Sequence, residues 1–158
     1  MSVTDLPLPA YQTASAELFQ FQLIEPARFA LVDRFYRSQG YKVKCGVNER
    51  VYAFSADEGA FVAAARLVPQ SSGHYWLRNL LVDKSFRGQG LASELIHRFL
   101  PDISPVGCYC FALPHLENFY SRLGFTAQPE HCPEDIVRTY QTYRNRGRDW
   151  ILMGYCGV

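Results

Sequence analysis

The chain has 158 residues, of which 48% are apolar and 20% charged, the composition of an ordinary soluble domain with a sizeable core. No apolar run approaches the roughly 18 residues that a membrane-spanning helix needs, so we expect no membrane partner. A net charge of +1 also argues against nucleic acid as a partner. The first residues lack the basic and apolar regions of a secretory signal, so a cytoplasmic protein is the expectation.

The five cysteines predict free thiols, because an odd number scattered through a chain without a signal peptide does not suit a disulfide framework. Cys108 and Cys110 lie two residues apart and would share one face of a strand. A metal site there would need further ligands, for which His115 and Cys132 are loose candidates. Since free cysteine is among the most buried residue types, we favour structural thiols and expect no metal.

The chain begins with a non-periodic stretch that we interpret as an N-terminal arm, residues 1–15. Alternating polar and apolar residues then predict a half-buried strand over 17–24. Pro26 suits the first turn of a helix that ends at Gly40. The apolar face of this helix is predicted to contain Phe29, Val32, Phe35 and Tyr36.

Three further strands and a second helix are predicted to follow. Residues 50–55 and 60–68 form a hairpin, and residues 74–82 form a fourth antiparallel strand. The apolar side chains of the next helix recur at helical spacing. They are Leu91, Leu95, Ile96, Phe99 and Leu100. We expect the segment from Pro101 to Pro105 to break this pattern, because proline interrupts helical hydrogen bonding.

The last third of the chain alternates strands and helices. A nearly continuous apolar run at 106–113 predicts a strand buried on both faces. Pro114 opens a helix that Gly124 ends, 133–147 form another helix, and 149–155 form a terminal strand. Strands followed by alternating helices and strands predict an α+β architecture with helices packed on a sheet, in a single domain.

The segment between the fourth strand and its helix, RGQGLA at residues 87–92, predicts a pyrophosphate-binding loop. Its two glycines let a ligand approach the backbone, and the first turn of the helix presents unpaired N–H groups. Arg87 adds a planar, charged fork that suits phosphate oxygens. A Walker loop does not fit because no lysine follows Gly90, and Ser93 replaces the third glycine of a dinucleotide fingerprint.

The order of a strand, Arg-x-x-Gly-x-Ala and a helix resembles the GNAT superfamily of acyl-CoA-dependent N-acyltransferases. The superfamily's loop pattern, Gln/Arg-x-x-Gly-x-Gly/Ala, is matched by Arg87, Gly90 and Ala92. A second segment, NFYSRLGF at 118–125, is similar to the superfamily's FYxxxGF block. The resemblance implies an α/β/α layered GNAT fold, with a mixed central sheet of about six to seven strands that splays between strands four and five and is flanked by helices.

The resemblance also implies that acetyl-CoA is the co-substrate, without a metal. Its pantetheine arm would enter between the fourth and fifth strands, and the backbone N–H of Leu81 or Val82 would stabilise the oxyanion. The residues implied at this cofactor site are Asn79, Leu80, Leu81, Val82, Arg87, Gly88, Gln89, Gly90, Leu91, Ala92 and Tyr120.

Tyr120 matches the superfamily's general acid, which protonates the departing sulfur. A phenol with a pKa of about 10 carries its proton at neutral pH and can donate it. The residues alone leave a packing role open, since Tyr120 also lies on the apolar stripe of its helix. Many members of the superfamily have an asparagine seven residues earlier, and Leu113 occupies that position here, which affects one cofactor contact.

The general base has several candidates. His74 is the one that we include in the catalytic set, and His115 and Glu117 are the other titratable residues expected near the cleft. A water relay to an already deprotonated amine would need no dedicated base. Arg66 and Arg78, on adjacent strands, either line an acceptor cleft that favours a carboxylate or lie on a surface of the sheet.

These features predict an N-acetyltransferase that moves an acetyl group from acetyl-CoA to a primary amine by direct attack in a ternary complex. The acceptor would be a small molecule or a peptide amine, and the many tyrosines permit a homodimer. The alternative is a catalytically silent GNAT-fold protein that binds acyl-CoA as a sensor or structural partner. Acceptor identity and acyl chain length stay open, because acceptor specificity depends on the first helix and the hairpin loops.

Overall fold

A mixed sheet of seven strands organises the computed structural model, which describes residues 18–155. In the sheet the strands follow the order β1-β2-β3-β4-β5-β7-β6. Their bounds are β1 Gln20–Ile24, β2 Arg50–Ser55, β3 Phe61–Pro69, β4 Tyr75–Val82, β5 Cys108–Ala112, β6 Thr126–Ala127 and β7 Ile151–Tyr155. The expected mixed sheet is confirmed, because β4 and β5 pair in parallel whereas the other pairs described are antiparallel.

Four α-helices flank the sheet in this part of the chain. They are α1 Phe29–Ser38, α2 Leu91–Ile103, α3 Glu117–Arg122 and α4 Glu134–Asn145. Short 3-10 turns at Pro26–Arg28, Lys84–Phe86 and Pro114–Leu116 precede the first three helices. Two of these turns begin with proline, whose fixed φ suits a first helical turn and whose missing N–H has no partner there in any case.

The described chain divides into two compact units. The first contains residues 18–68 and 78–99, and the second contains residues 69–77 and 100–155. β4 and α2 each contribute residues to both units. The expectation of a single domain over residues 1–158 stays a prediction, and the N-terminal arm assigned to residues 1–15 lies outside the described residues.

The first unit has its core between α1 and strands β2 and β3, which pair antiparallel. The apolar stripe predicted for α1 is confirmed, because all four of its members are buried. These members are Phe29, Val32, Phe35 and Tyr36. They pack with Val51, Ala53 and Ala64, whose small side chains let the helix lie close to the sheet. Gly40, with a φ of 91°, follows the helix end as predicted, since a residue without Cβ adopts this conformation readily.

α2 also buries the stripe that its sequence predicts, and Phe99 stacks on Tyr52 with 5.3 Å between ring centroids. The helix ends at Ile103, inside the segment from Pro101 to Pro105 that was expected to break it, and Pro101 itself is still helical. A proline lacks the N–H that would bond to the carbonyl of His97, and its ring crowds that carbonyl, but so close to a helix end few turns are disturbed. Ile103 is 3% exposed, and its burial stabilises the last turn.

The second unit is built around β5, which pairs antiparallel with β7 over its whole length. The parallel pairing of β5 with β4 covers only two residue pairs, Tyr75 with Cys108 and Trp76 with Tyr109. β4 continues to Val82 beyond this contact, so the two strands splay as expected. β6, which pairs with β7, was not predicted because two residues carry no periodic signal.

The cysteines of the described residues are free, as predicted. Cys45, Cys108 and Cys110 are buried, and Cys132 is half-buried. Between residues 18 and 155, no group of three or more His, Cys, Asp or Glu side chains could hold a metal ion. In the same range, no helix has the length and apolar character to cross a membrane.

Gly154 tests the packing of the second unit. A Cβ at this position would lie 2.7 Å from Cε1 and 2.8 Å from Cδ1 of Tyr109, whose ring is 1% exposed. We expect Gly154→Ala to lower the free energy of unfolding by about 1–3 kcal/mol, because the ring has little room to move. Denaturant unfolding measures the loss.

The control for this prediction is a double-mutant cycle with Tyr109→Ala, which removes the ring that the new methyl group would meet. Gly154→Ala should then cost clearly less than it does beside the intact tyrosine. Equal costs in the two backgrounds would contradict the proposed clash.

Candidate active site

The loop between β4 and α2 has the conformation that its glycines predict. Asp83 caps the 3-10 turn at Lys84–Phe86, and its carboxylate accepts a hydrogen bond of 2.8 Å from the backbone N–H of Ser85. Gly88 and Gly90 then adopt φ angles of 80° and 76°, a region that side chains with a Cβ rarely enter. The helix α2 begins at Leu91, directly after these two glycines.

The surface of this loop is open. A Cβ at Gly88 would meet no atom within 4 Å, so no side chain occupies the space beside its backbone. The first turn of α2 adds N–H groups that precede its earliest hydrogen bond, from Glu94 N–H to Gly90 O. Arg87 is exposed, and its Nε donates to the carbonyl of Val82 at 3.2 Å, which uses one of five guanidinium donors. The loop therefore presents main-chain donors and a positive charge, as an anion site requires.

β4 itself is distorted at Asn79, which has a φ of 55°. This left-handed conformation is uncommon for a residue other than glycine, although asparagine tolerates it better than most. Asn79 lies in the middle of β4, which continues as a strand through Leu80, Leu81 and Val82. Leu81 packs its side chain against the core of the first unit.

Two side chains of the first unit bind Asn79, and a third binds one of these two. Tyr36 donates its O–H to the backbone carbonyl of Asn79 at 2.7 Å, and Nη1 of Arg66 donates to Oδ1 of Asn79 at 2.7 Å. The other side of the Arg66 guanidinium binds both carboxylate oxygens of Glu49, at 2.7 and 2.8 Å. We call Tyr36, Arg66 and Glu49 the Asn79 clamp.

Arg66 therefore does not present a free charge to an acceptor carboxylate, which was one of its two expected roles. Its residue is 8% exposed, and Glu49 neutralises it through a two-pronged ion pair. The other expected role, an exposed face of the sheet, is excluded by the same burial. Neither Glu49 nor Tyr36 was identified as a site residue from the sequence.

Burial sets the protonation states of the clamp. Burial alone would lower the pKa of Arg66, but the hydrogen bonds and the negative charge of Glu49 outweigh it and raise that pKa. Burial raises the pKa of Tyr36 well above its usual value. Burial, followed by the hydrogen bond and charge of Asp33, raises the pKa of the nearby Cys45 thiol to about 12. The clamp thus keeps a neutral phenol and a charged guanidinium at neutral pH.

Tyr120 lies on α3 in the second unit and is 7% exposed. Its ring packs edge-on against Phe119 and Phe125, with centroids 5.0 and 5.4 Å away. Burial raises the pKa of Tyr120 well above its usual value, and Cys110 and Cys108 add to the shift. The phenol of Tyr120 consequently keeps its proton at neutral and moderately alkaline pH.

The candidate bases belong to the second unit as well. His74 precedes β4, and its Nδ1 lies 3.2 Å from Oγ of Ser72. The centroid of its ring lies 5.8 Å from that of the Tyr109 ring. His115 lies on the exposed 3-10 turn that opens α3, and Glu117 is the first residue of α3. The structure thus brings the strand and loop residues, 79–82 and 87–92, together on one continuous stretch of the first unit. Tyr120 and the candidate bases come from the other unit.

The chain matches one family model over part of its length. A family model described as an acetyltransferase (GNAT) domain matches residues 48–127, just over half of the chain. The chain belongs to the GNAT family. The matched range contains Glu49 and Arg66, the bend at Asn79, the glycine loop and Tyr120.

Solved structures share the GNAT fold with this chain. A candidate N-acetyltransferase from Lactobacillus plantarum has a TM-score of 0.65 at 15% identity, over 89% of this chain and 99% of its own. ElaA from Escherichia coli has a TM-score of 0.60 at 20% identity, over 86% of this chain and 98% of its own. At these identities the likeness concerns the fold alone. A search of curated proteins found no match.

A third structure with this fold was solved with bound ligands. N-acetylglutamate synthase from Neisseria gonorrhoeae, solved with coenzyme A and N-acetyl-glutamate, has a TM-score of 0.61 at 14% identity. The similarity covers 86% of this chain and 34% of that one. GNAT proteins use acetyl-CoA, and the open glycine loop with Arg87 beside it fits the diphosphate of this molecule.

We predict that Gly88→Ala weakens binding of coenzyme A by about tenfold, or about 1.4 kcal/mol. An alanine strains the left-handed backbone by about 1–2 kcal/mol and favours a loop conformation that turns its N–H groups away from the diphosphate. Isothermal titration with coenzyme A measures the change.

Gly73→Ala is the matched control, because Gly73 has a φ of 89° and the same empty surroundings but lies in the turn before β4. Both variants should lose similar stability, while only Gly88→Ala should lose affinity. Unchanged affinity in Gly88→Ala would exclude this loop as the diphosphate site.

Proposed function

We propose that the protein is an N-acetyltransferase that moves an acetyl group from acetyl-CoA to a primary amine, by direct attack in a ternary complex. The observation that carries this proposal is the continuous stretch from the bend at Asn79 to the start of α2. Along it, a strand that has separated from its parallel neighbour leads without interruption into an open glycine loop.

Coenzyme A would be held by main-chain groups more than by side chains. The N–H groups from Gly88 to Ala92, with the guanidinium of Arg87, would bind its diphosphate. Its pantetheine arm would lie along Asn79 to Val82 and use the hydrogen bonds that β5 does not take, as an added strand does. This arrangement would deliver the thioester to the distorted part of β4.

The reaction then needs one bond formed and one broken. The amine nitrogen attacks the thioester carbon, and the negative charge that develops on the carbonyl oxygen is stabilised by the N–H of Leu81 or Val82. The carbon–sulfur bond breaks, and the leaving thiolate takes a proton from the hydroxyl of Tyr120. The amine loses its proton to water or to His74, and the phenolate of Tyr120 is reprotonated from solvent.

Tyr120 holds a proton for the leaving group at neutral pH, although the burial that raises its pKa also makes it a weaker acid. Burial keeps the phenol neutral, whereas a thiolate leaving group accepts a proton readily. For the acceptor we propose a small-molecule or peptide amine. Arg66 is already paired with Glu49, so it is not free to bind a carboxylate group on the acceptor.

We predict that Tyr120→Phe reduces kcat by at least about hundredfold, because it removes the proton donor. Affinity for coenzyme A should stay nearly unchanged, since the loop and β4 hold the molecule. Release of free thiol from acetyl-CoA, measured against a panel of amines, gives kcat, and titration calorimetry gives the affinity.

Tyr143→Phe, which removes a hydroxyl from a half-buried ring on α4, is the matched control and should keep wild-type kcat. A wild-type protein that binds coenzyme A but acetylates no amine in the panel would favour the silent acyl-CoA-binding alternative. Full activity in Tyr120→Phe would remove this residue from the mechanism.

The raised pKa of Tyr120 predicts the pH dependence of kcat. An ordinary phenol would lose its proton near pH 10, but burial moves this loss to higher pH. The stability linked to this proton is therefore fully present below about pH 10, and it is lost between about pH 10 and the higher folded pKa, because the unfolded chain ionises first. We expect kcat not to fall between about pH 8 and about pH 10, and a decline centred near pH 10 would contradict the assignment.

A further inference from the structure

We propose that the Asn79 clamp, formed by Tyr36, Arg66 and Glu49, positions the backbone donors that stabilise the oxyanion. The proposal rests on the proposed function and adds positioning residues to it. None of the three contacts the reacting atoms in this view. They act through Asn79, whose peptide group begins the stretch that contains Leu81 and Val82.

The backbone of Asn79 is strained. A non-glycine residue with a φ of 55° inside a strand persists only where its surroundings hold it. The rest of the chain could relieve this conformation by letting Asn79 return to the regular pleat. Such a return would rotate the following peptide groups, and with them the direction of their N–H bonds.

The hydrogen bonds from Tyr36 and Arg66 approach Asn79 at two different groups. The O–H of Tyr36 fixes the backbone carbonyl of Asn79 at 2.7 Å, and the planar peptide then fixes the N–H of Leu80 on its opposite side. Arg66 can only donate, so the oxygen of the Asn79 side chain faces it, at 2.7 Å. Main chain and side chain of one residue are therefore held from two directions.

The side chains of the clamp are themselves fixed by hydrogen bonds and burial. Glu49 accepts two hydrogen bonds from Arg66 and a third, of 2.7 Å, from the backbone N–H of Gly46. The side chains of Arg66 and Glu49 are 9% and 8% exposed, and Tyr36 is fully buried. A water-poor environment strengthens these bonds and limits the alternatives open to each group.

The clamp consists of polar and charged residues in a buried position. A buried ion pair is a poor way to gain stability, because apolar side chains of the same volume often serve as well or better. Here α1, β3 and the segment before β2 each supply one polar residue, and the hydrogen bonds of Tyr36 and Arg66 end on Asn79. This convergence indicates that direction, rather than stability alone, is what the clamp supplies.

The test is Tyr36→Phe, which removes one hydrogen bond and keeps the buried ring. We expect kcat to fall about tenfold or more, because a displaced oxyanion donor loses part of the hundredfold or larger effect of a deleted one. The KM for acetyl-CoA should stay within about twofold, since cofactor binding depends on the glycine loop. Tyr41→Phe, at an exposed tyrosine five residues later, is the matched control and should leave kcat unchanged.

Arg66→Lys is the second variant, because it keeps a positive charge beside Glu49 but lacks the fork that reaches both Glu49 and Asn79. We expect it to lower kcat in the same way at temperatures well below its unfolding midpoint. In both variants, the amide resonances of Leu80, Leu81 and Val82 should shift in NMR spectra of the protein without ligand. Those of Gly88 to Leu91 should not.

The outcomes separate this proposal from the proposed function. A wild-type protein without acetyl transfer would overturn the proposed function, and the amide shifts alone would then decide whether the clamp orients β4. If the wild type is active, unchanged kcat in both variants would overturn the positioning role. So would a lower unfolding midpoint with unchanged kcat, or an effect on KM alone.

Discussion

β4 meets β5 over only two residue pairs, and this incomplete pairing is the constraint on which the candidate site depends. Backbone N–H and C=O groups in a protein interior are nearly always paired, so a strand that leaves its neighbour must have another partner for them. A ligand that lies along the strand can be that partner. Because β4 runs directly into the glycine loop, one short stretch of chain supplies both the strand edge and the anion site.

The bend at Asn79 adds a second requirement, which the first unit meets with polar groups rather than apolar ones. Tyr36 and Arg66 reach this residue from a helix and from the neighbouring strand, and Glu49 balances the charge. Burying such groups is unfavourable unless each finds a partner. The clamp satisfies this condition while it holds a backbone conformation that the strand alone would not keep, so packing and chemistry are linked at one residue.

Local patterns account for what could be predicted from the sequence. The stripe on α1, the hairpin of β2 and β3, and the glycine loop each depend on residues close together in the chain, and all were found. The clamp could not be found in this way, because Tyr36 and Asn79 lie 43 positions apart and Arg66 and Glu49 lie 17 apart. The signal that could have suggested it is Asn79 itself, a residue tolerant of left-handed backbone inside an apolar strand. The catalytic role of Tyr120 came from a family motif and stays a prediction.

The buried cysteines give the molecule natural reporters of its own fluctuations. A thiol reacts with an electrophile only as the thiolate, and a pKa of about 12 leaves Cys45 almost entirely protonated while the first unit is closed. Cys110 is protected by burial in the same manner within the second unit. The rate at which each thiol is alkylated therefore follows transient opening of its own unit. The native chain can in this way reveal, without any introduced label, whether its two units open together or separately.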